Sequence, residues 1–472
     1  MLRILERSGT RREILRAGGA GLLGLNLGRV LAAEATHSTK PARAKSVIFL
    51  FLFGGPSQLE TFDLKPNAVE KIRGPFKPIA SRTPGLLIGE HLPKLAAVSN
   101  RYCVVRTMTH SYNDHSGASH YLQTGKRWHI PIGGGFDATP RDWPSMGSAL
   151  DHCSQSASRG AVRDLPNYMV VPNALGRLEL AGQYKRPGEY AGWLGRAWDP
   201  LSTTVNKRNL KDNPYWRDCT DEELTFRIEG LAAPQELTLD RTSGRHSLLE
   251  QFDAQRIVAD GGRVSEFDRM RARALDLASS AKTRRALDIR AEAPAVRDRY
   301  GRHLFGQSTL MARRLVEAGV RFVTVHYEAI DGYSWDSHLN SNDVKKHLLP
   351  TFDQALAALL VDLEERGLLD ETLVVALGEM GRTPVANAKW GRDHWSTLFP
   401  AVLAGAGIRG GTTFGSSDKD AAYPLDNPVT PEDLAATIYH AMGIDPDVRV
   451  RDSQGRPTPL IDEGRPVLKL FG

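Results

Sequence analysis

Cysteine is scarce in this chain: Cys103, Cys153 and Cys219 are the only three among 472 residues. None stands at a Cys-x-x-Cys spacing, so a thiolate zinc site, a dithiol redox motif and a disulfide framework are all excluded. An odd count leaves at least one thiol unpaired, and Cys103, inside the apolar run Tyr102-Cys103-Val104-Val105, reads as a core residue. Low-complexity tracts and fixed-period repeats are absent, and no apolar stretch after the first residues is long enough to cross a bilayer. Charge of one sign is also in short supply. The formal net charge is +6, but residues 1–35 hold six arginines against three glutamates. A chain without them is near +3, too little to argue for nucleic acid as a partner.

What the first residues do contain is Thr10-Arg11-Arg12-Glu13-Ile14-Leu15-Arg16, followed by a run from Gly18 to Ala33 whose one charge is Arg29. A basic start, a short glycine-rich apolar stretch and small residues around Ala33-Glu34-Ala35 fit a twin-arginine export signal over residues 1–35. The expected location is therefore periplasmic or extracellular. An amphipathic N-terminal helix is the plainer alternative.

Residues 46–53, Ser-Val-Ile-Phe-Leu-Phe-Leu-Phe, run almost without interruption into Gly54-Gly55-Pro56, as a strand buried on both faces does. Similar runs recur at 103–106, 322–326, 373–377 and 399–403, with helical periodicity at 348–368 and 431–442. Strands alternating with helices predict an α/β fold, a doubly wound and mostly parallel sheet with helices on both faces. The expectation is a single domain over 45–472. It carries inserted loops over about 126–235, rich in Gly, Pro and Trp, and inserted amphipathic helices over about 236–318.

Polar clusters follow or precede these strands. They are His110 to Gly117, Trp335-Asp336-Ser337-His338, Gly378-Glu379-Met380-Gly381-Arg382, and Gly391-Arg392-Asp393-His394-Trp395. In open α/β sheets ligands bind at the carboxyl ends of the strands, so the four clusters are candidates for one shared site. Asp336, His338, Glu379 and His394 are the expected ligands of one divalent metal ion, with Zn, Mn, Mg or Ca as candidates. His110, Asp114, His115 and Ser116 lie at or before the start of a predicted helix over 116–124, whose free N–H groups favour an oxyanion. Ser116 is a candidate nucleophile or, equally, an N-cap. Arg382 is a candidate oxyanion clamp or the partner of a nearby carboxylate.

Several stretches together resemble one family across essentially the whole chain. They are Arg11-Arg12, Gly54-Gly55-Pro56-Ser57-Gln58 with Phe62-Asp63, His110 to Gly125, Tyr300-Gly301 with Phe305-Gly306-Gln307, and 313–319. Trp335 to His338 and Gly378 to Pro384 complete the set. The pattern is similar to the alkaline-phosphatase-like and sulfatase clan, and within it to domain of unknown function 1501. The resemblance implies metal-assisted attack on a phosphate or sulfate ester. It breaks at three places. Gly54 and Gly55 stand where sulfatases carry paired metal-binding aspartates, with Asp63 or Glu60 as conjectural substitutes. Alignment on Gln123-Thr124-Gly125 puts His115 at the nucleophile position, with Ser116 beside it, and the Cys/Ser-x-Pro-x-Arg motif that matures to formylglycine is missing. Glu379-Met380 stands where the clan has Asp-His or Asp-Asn.

Two functions follow as expectations. One is an exported metal-dependent hydrolase, atypical for its clan, acting on an anionic ester such as a sulfated or phosphorylated glycan. The other is a non-catalytic relative that binds such a glycan or a partner protein. A dinucleotide oxidoreductase has no support. The Gly-x-Gly-x-x-Gly at 405–410 continues into Gly411-Thr412-Thr413-Phe414-Gly415 and reads as a surface turn, without the helix that would hold a pyrophosphate.

Overall fold

The computed structural model describes residues 41–131, 137–157, 165–172, 186–205, 208–209, 212–228, 280–328, 335–445 and 447–472. The expected export signal, and the 236–279 part of the expected charged helices, lie outside the described residues.

Among the described residues, nine strands form one sheet: β1 (Ser46–Phe51), β2 (Tyr102–Met108), β3 (Tyr168–Val171), β4 (Leu201–Thr204), β5 (Arg227–Ile228), β6 (Phe322–His326), β7 (Thr372–Leu377), β8 (Phe399–Ala404) and β9 (Thr412–Phe414). Their spatial order is β9-β2-β8-β7-β1-β6-β3-β4-β5. Strand β8 runs antiparallel to both its neighbours and β5 antiparallel to β4, while every other pairing is parallel. The mostly parallel α/β fold expected from the strand runs is the fold observed. The apolar run that announces β1 belongs to the centre of the sheet, where both faces are covered.

Alternation along β1 divides the core in two. Ile48 and Leu50 point into a cluster with Leu310 and Leu315 of α3 (Leu304–Glu317) and Leu356 and Leu359 of α4 (Leu349–Glu365). Val47, Phe49 and Phe51 point the other way. There they meet Leu122 of α1 (His115–Thr124), Leu150 of α2 (Met146–Ala157) and Leu434 and Ile438 of α5 (Pro431–Ala441).

Two expectations need correcting. The 126–235 segment is more than loops, since it contributes α2 and the strands β3, β4 and β5 to the sheet edge. These strands are two to four residues long, too short to display a period against their glycine- and proline-rich surroundings. Within 280–318, α3 is part of the framework, packing on β6, β1 and α4. The 405–410 glycine motif leads into no helix, but Thr412–Phe414, expected as loop, forms strand β9 and pairs parallel with β2.

Phe49 is 1% exposed at the middle of the central strand. Phe49→Ala should cost about 3–5 kcal/mol of stability, read as a lowered urea midpoint with an unchanged m-value.

Candidate metal centre

The parallel strands deliver their following loops to one end of the sheet, and β8, running the opposite way, begins at that end. The turn after β1, the segments after β2, β6 and β7, and the segment before β8 therefore meet. Glycine lets them meet closely. A Cβ on Gly54 would lie 2.5 Å from the Asp336 backbone nitrogen, and one on Gly55 would lie 2.5 Å from the Met380 carbonyl oxygen. Both residues have positive φ, 110° and 76°, which side-chain-bearing residues rarely adopt. The glycine pair thus lets three loops pack onto the end of β1. Trp335, buried against Tyr327 and Phe352, anchors the segment that carries Asp336.

His115, Asp336 and His394 each offer a ligand atom, all within 4.8 Å of one another. His115 Nε2 lies 3.3 Å from Asp336 Oδ2. His394 Nε2 lies 3.2 Å and His338 Nε2 3.0 Å from Asp336 Oδ1, and the two Nε2 atoms are 2.9 Å apart. Ligands sharing a tetrahedral centre at about 2.0–2.1 Å stand roughly 3.3 Å from each other. The observed spacings are close to that value.

The far nitrogen of each ring is held by an acceptor. His115 Nδ1 is 2.5 Å from Glu379 Oε1, His394 Nδ1 is 2.8 Å from the Asn113 carbonyl oxygen, and His338 Nδ1 is 2.7 Å from Asp393 Oδ1. An imidazole that donates from Nδ1 turns a bare Nε2 lone pair inward, the usual way a protein presents histidine to a metal. Two such lone pairs 2.9 Å apart repel unless a proton or a cation lies between them. His115 Nε2 is also buried without a hydrogen bond. On these observations the residues fit a divalent cation.

Glu379 was expected as a ligand. It is fully buried, its carboxylate accepts from the Gly54 N–H at 3.0 and 3.1 Å, and it stands behind His115. His115, expected at the nucleophile position, is the residue that offers an atom to the cluster. His110 lies further back. Its Nδ1 accepts from the Tyr112 N–H at 3.1 Å, so its Nε2 carries the proton donated to the Glu379 carbonyl oxygen at 2.7 Å. Burial pushes its pKa down to about 4, which keeps it neutral.

Arg382 is 0% exposed. Its guanidinium donates to the carbonyls of Gly54, Gly55 and Arg392 and pairs with Asp336 Oδ1 at 2.5 Å. This is the carboxylate-pairing alternative, and it binds the β1 turn to the Asp336 loop. Helix α1 starts one residue earlier than expected because Asp114, in extended conformation, caps it by accepting from the Gly117 N–H at 2.8 Å. Ser116 is therefore not the cap: it is buried in the first turn, with no hydrogen bond to the cluster among the described residues. The conjectured aspartate substitutes are engaged elsewhere, Asp63 with Lys65 and Ser417 and Glu60 with Arg392. Met380 packs with Tyr112, Ala118 and Tyr121 beneath α1.

Residue type could not reveal two neighbours. Asn113 works through its backbone carbonyl. Buried Arg186 lies 4.2 Å from the centre of the Phe53 ring, itself 5.1 Å from the His115 ring, and pairs with Glu328.

Burial opposes the charged form of both central groups, and their mutual attraction overrides it. The carboxylates of Asp336 and Glu379 hold the His115 pKa up to about 9. Contacts from His115, His338 and His394 hold Asp336 far below the usual carboxylate range. A proton on His115 and a cation compete for the same lone pair. Apparent affinity for Zn²⁺ or Mn²⁺ should therefore rise by up to about tenfold per pH unit up to about pH 9. Calorimetry in buffers of differing ionisation enthalpy should show proton release on binding.

The family described as Protein of unknown function (DUF1501) matches residues 44–471. No curated protein sequence matches the chain. Three solved structures show what the chain is similar to. A mutant of the alkaline phosphatase PafA is 10% identical with a TM-score of 0.43, over 92% of this chain and 100% of that one. The phosphonate monoester hydrolase SpPMH from Silicibacter pomeroyi is 14% identical at 0.35, over 90% and 76%. The PsFucS1 sulfatase from Pseudoalteromonas sp. is 13% identical at 0.35, over 88% and 70%.

Proposed function

The chain belongs to the DUF1501 family, and from its site we propose an exported metal-dependent hydrolase of phosphate or sulfate esters, with sulfated or phosphorylated glycans as the substrate class. The observation that carries this reading is the convergence of three imidazole Nε2 atoms on the Asp336 carboxylate, each ring fixed from behind. Three nitrogens and one carboxylate favour Zn, Mn or Fe over Mg or Ca. A divalent ion there supplies Lewis-acid polarisation of the ester oxygen and of the attacking water.

The chain's own residues do the rest. Glu379 fixes the His115 ring and is itself fixed by Gly54, so the inward nitrogen is set before substrate arrives. His338, with its side chain 37% exposed and its far nitrogen on the exposed Asp393, lies at the solvent side of the cluster. Ser116 is set aside as nucleophile by its burial in α1, and Arg382 as clamp by its engagement with backbone carbonyls. Water is thus the attacking group of this proposal.

The second reading, a glycan-binding relative without turnover, is favoured by one observation: no hydroxyl or free guanidinium reaches the cluster among the described residues.

Metal analysis of purified protein, followed by assay on aryl phosphate and aryl sulfate, separates the two. We expect about one divalent ion per chain. Asp336→Ala and His394→Ala should lose the ion and at least about 100-fold in turnover. Ser116→Ala should stay within about threefold of the parent. Metal and turnover retained in both ligand variants would sink the hydrolase reading. Ligand-dependent metal binding with no cleavage of any ester would leave the binding relative. For export, replacing Arg11 and Arg12 together by lysine should hold the protein in the cytoplasm on fractionation; unchanged export would refute a twin-arginine route.

A further inference from the structure

A cleft of about 320 Å³ lies beside the loop that precedes His394, lined by Lys65, Glu70, Arg73, Phe76, Lys77 and Trp390 among others. Its volume is near the lower bound of ordinary ligand clefts, roughly 300–1,000 Å³. Three lining cations face one carboxylate. Lys65 is paired with Asp63 at 3.0 Å, whereas Arg73 and Lys77 make no ion pair among the described residues and are exposed.

The aromatic in this cleft is held in an unusual way. Trp390 has φ 66°, a left-handed conformation that is strained for a bulky L-residue and an outlier wherever it occurs. Asn387 enforces it. The Asn387 Oδ1 accepts from the N–H groups of Lys389 and Gly391, both at 2.9 Å. Its backbone N–H donates to the Gly391 carbonyl, and its carbonyl accepts from the Trp390 N–H. The same side chain donates to the His338 carbonyl oxygen at 2.7 Å, and a Cβ on Gly391 would lie 2.1 Å from that oxygen. One loop thus holds a strained tryptophan and braces the backbone of a histidine of the metal centre. Strain preserved by so many contacts, at a position where glycine would relieve it, marks a side chain kept for what it touches.

We propose that this cleft binds a sugar ring bearing a sulfate or phosphate group, adjacent in the same glycan to the unit whose ester meets the His115–Asp336–His394 cluster. Trp390 is the platform on which the ring's C–H face packs, and Arg73 and Lys77 hold the anionic group. The position of this ring next to a cleaved unit rests on the hydrolase reading; the binding does not. A single-stranded nucleic acid would ask for a longer basic track with repeated stacking faces, and the low net charge argues against one.

Calorimetry with size-defined dextran sulfate and dextran phosphate oligosaccharides tests this on metal-loaded full-length protein, with uncharged dextran and oligodeoxythymidine as controls. Trp390→Gly should bind at least about tenfold more weakly while unfolding at the same temperature or higher. Arg73→Ser with Lys77→Ser should weaken binding similarly and leave metal content unchanged. Tight binding of either esterified oligosaccharide that responds in this way supports the subsite. Equal affinity in parent and both variants overturns it, as does equal binding of uncharged dextran, or oligodeoxythymidine binding more tightly and losing affinity in the same variants. Failure of the hydrolase reading looks different: no ester is cleaved, and both variants still lose oligosaccharide affinity.

Discussion

At the carboxyl end of β1, the chain turns through Gly54 and Gly55 in a space too small for any side chain. Their carbonyls are taken by the Arg382 guanidinium, which also pairs with Asp336, and the Gly54 N–H is taken by the Glu379 carboxylate. This knot of backbone and buried charge joins the segments after β1, β6 and β7. A buried guanidinium or carboxylate without partners would cost several kcal/mol; here each supplies the other's hydrogen bonds directly or through the turn. The distances among the inward-facing atoms follow from this frame, because Asp336 and, through Glu379, His115 are both tied to it.

Glycine at 54 and 55 places no side chain at the end of β1. Asp336 faces the histidines there, and Glu379 faces one of them, His115, from behind. The resulting set is rich in imidazole nitrogen and poor in oxygen, suited to a single borderline metal. His115 offers a lone pair to the cluster, while Ser116 beside it is buried in the first turn of α1.

A second level of support lies behind the first. Asn113, Asp393 and Glu379 hold one ring each, His110 donates to the Glu379 backbone, and Asn387 holds the His338 backbone. These contacts set which nitrogen of each ring faces inward, and with it the chemistry open to the site. They also connect the cluster to the Trp390 loop, so the basic cleft and the candidate metal centre share structural elements.

Much of the fold was legible in the linear order of residues. The run at 46–53, its shorter counterparts and the helical patterns at 348–368 and 431–442 are local signals, because a strand buried on both faces must be apolar at every position. The gathering of Asp336, His338, Glu379 and His394 near one sheet end also followed from their places beside strand ends. Three things were decided only by the tertiary structure. The short strands at 168–171 and 201–204, toward one side of the sheet, carry too few residues to show a period. The parts played by His115 and Glu379 depend on which nitrogen and which oxygen face inward, and that is set by partners hundreds of residues away. The engagement of Arg382 depends on backbone carbonyls, which every residue possesses and no sequence motif distinguishes. Residue identity determined which groups were available to meet at the end of the sheet; the close approach at Gly54 and Gly55 decided how they face one another, since atoms this crowded leave few arrangements free of clash or unpaired charge.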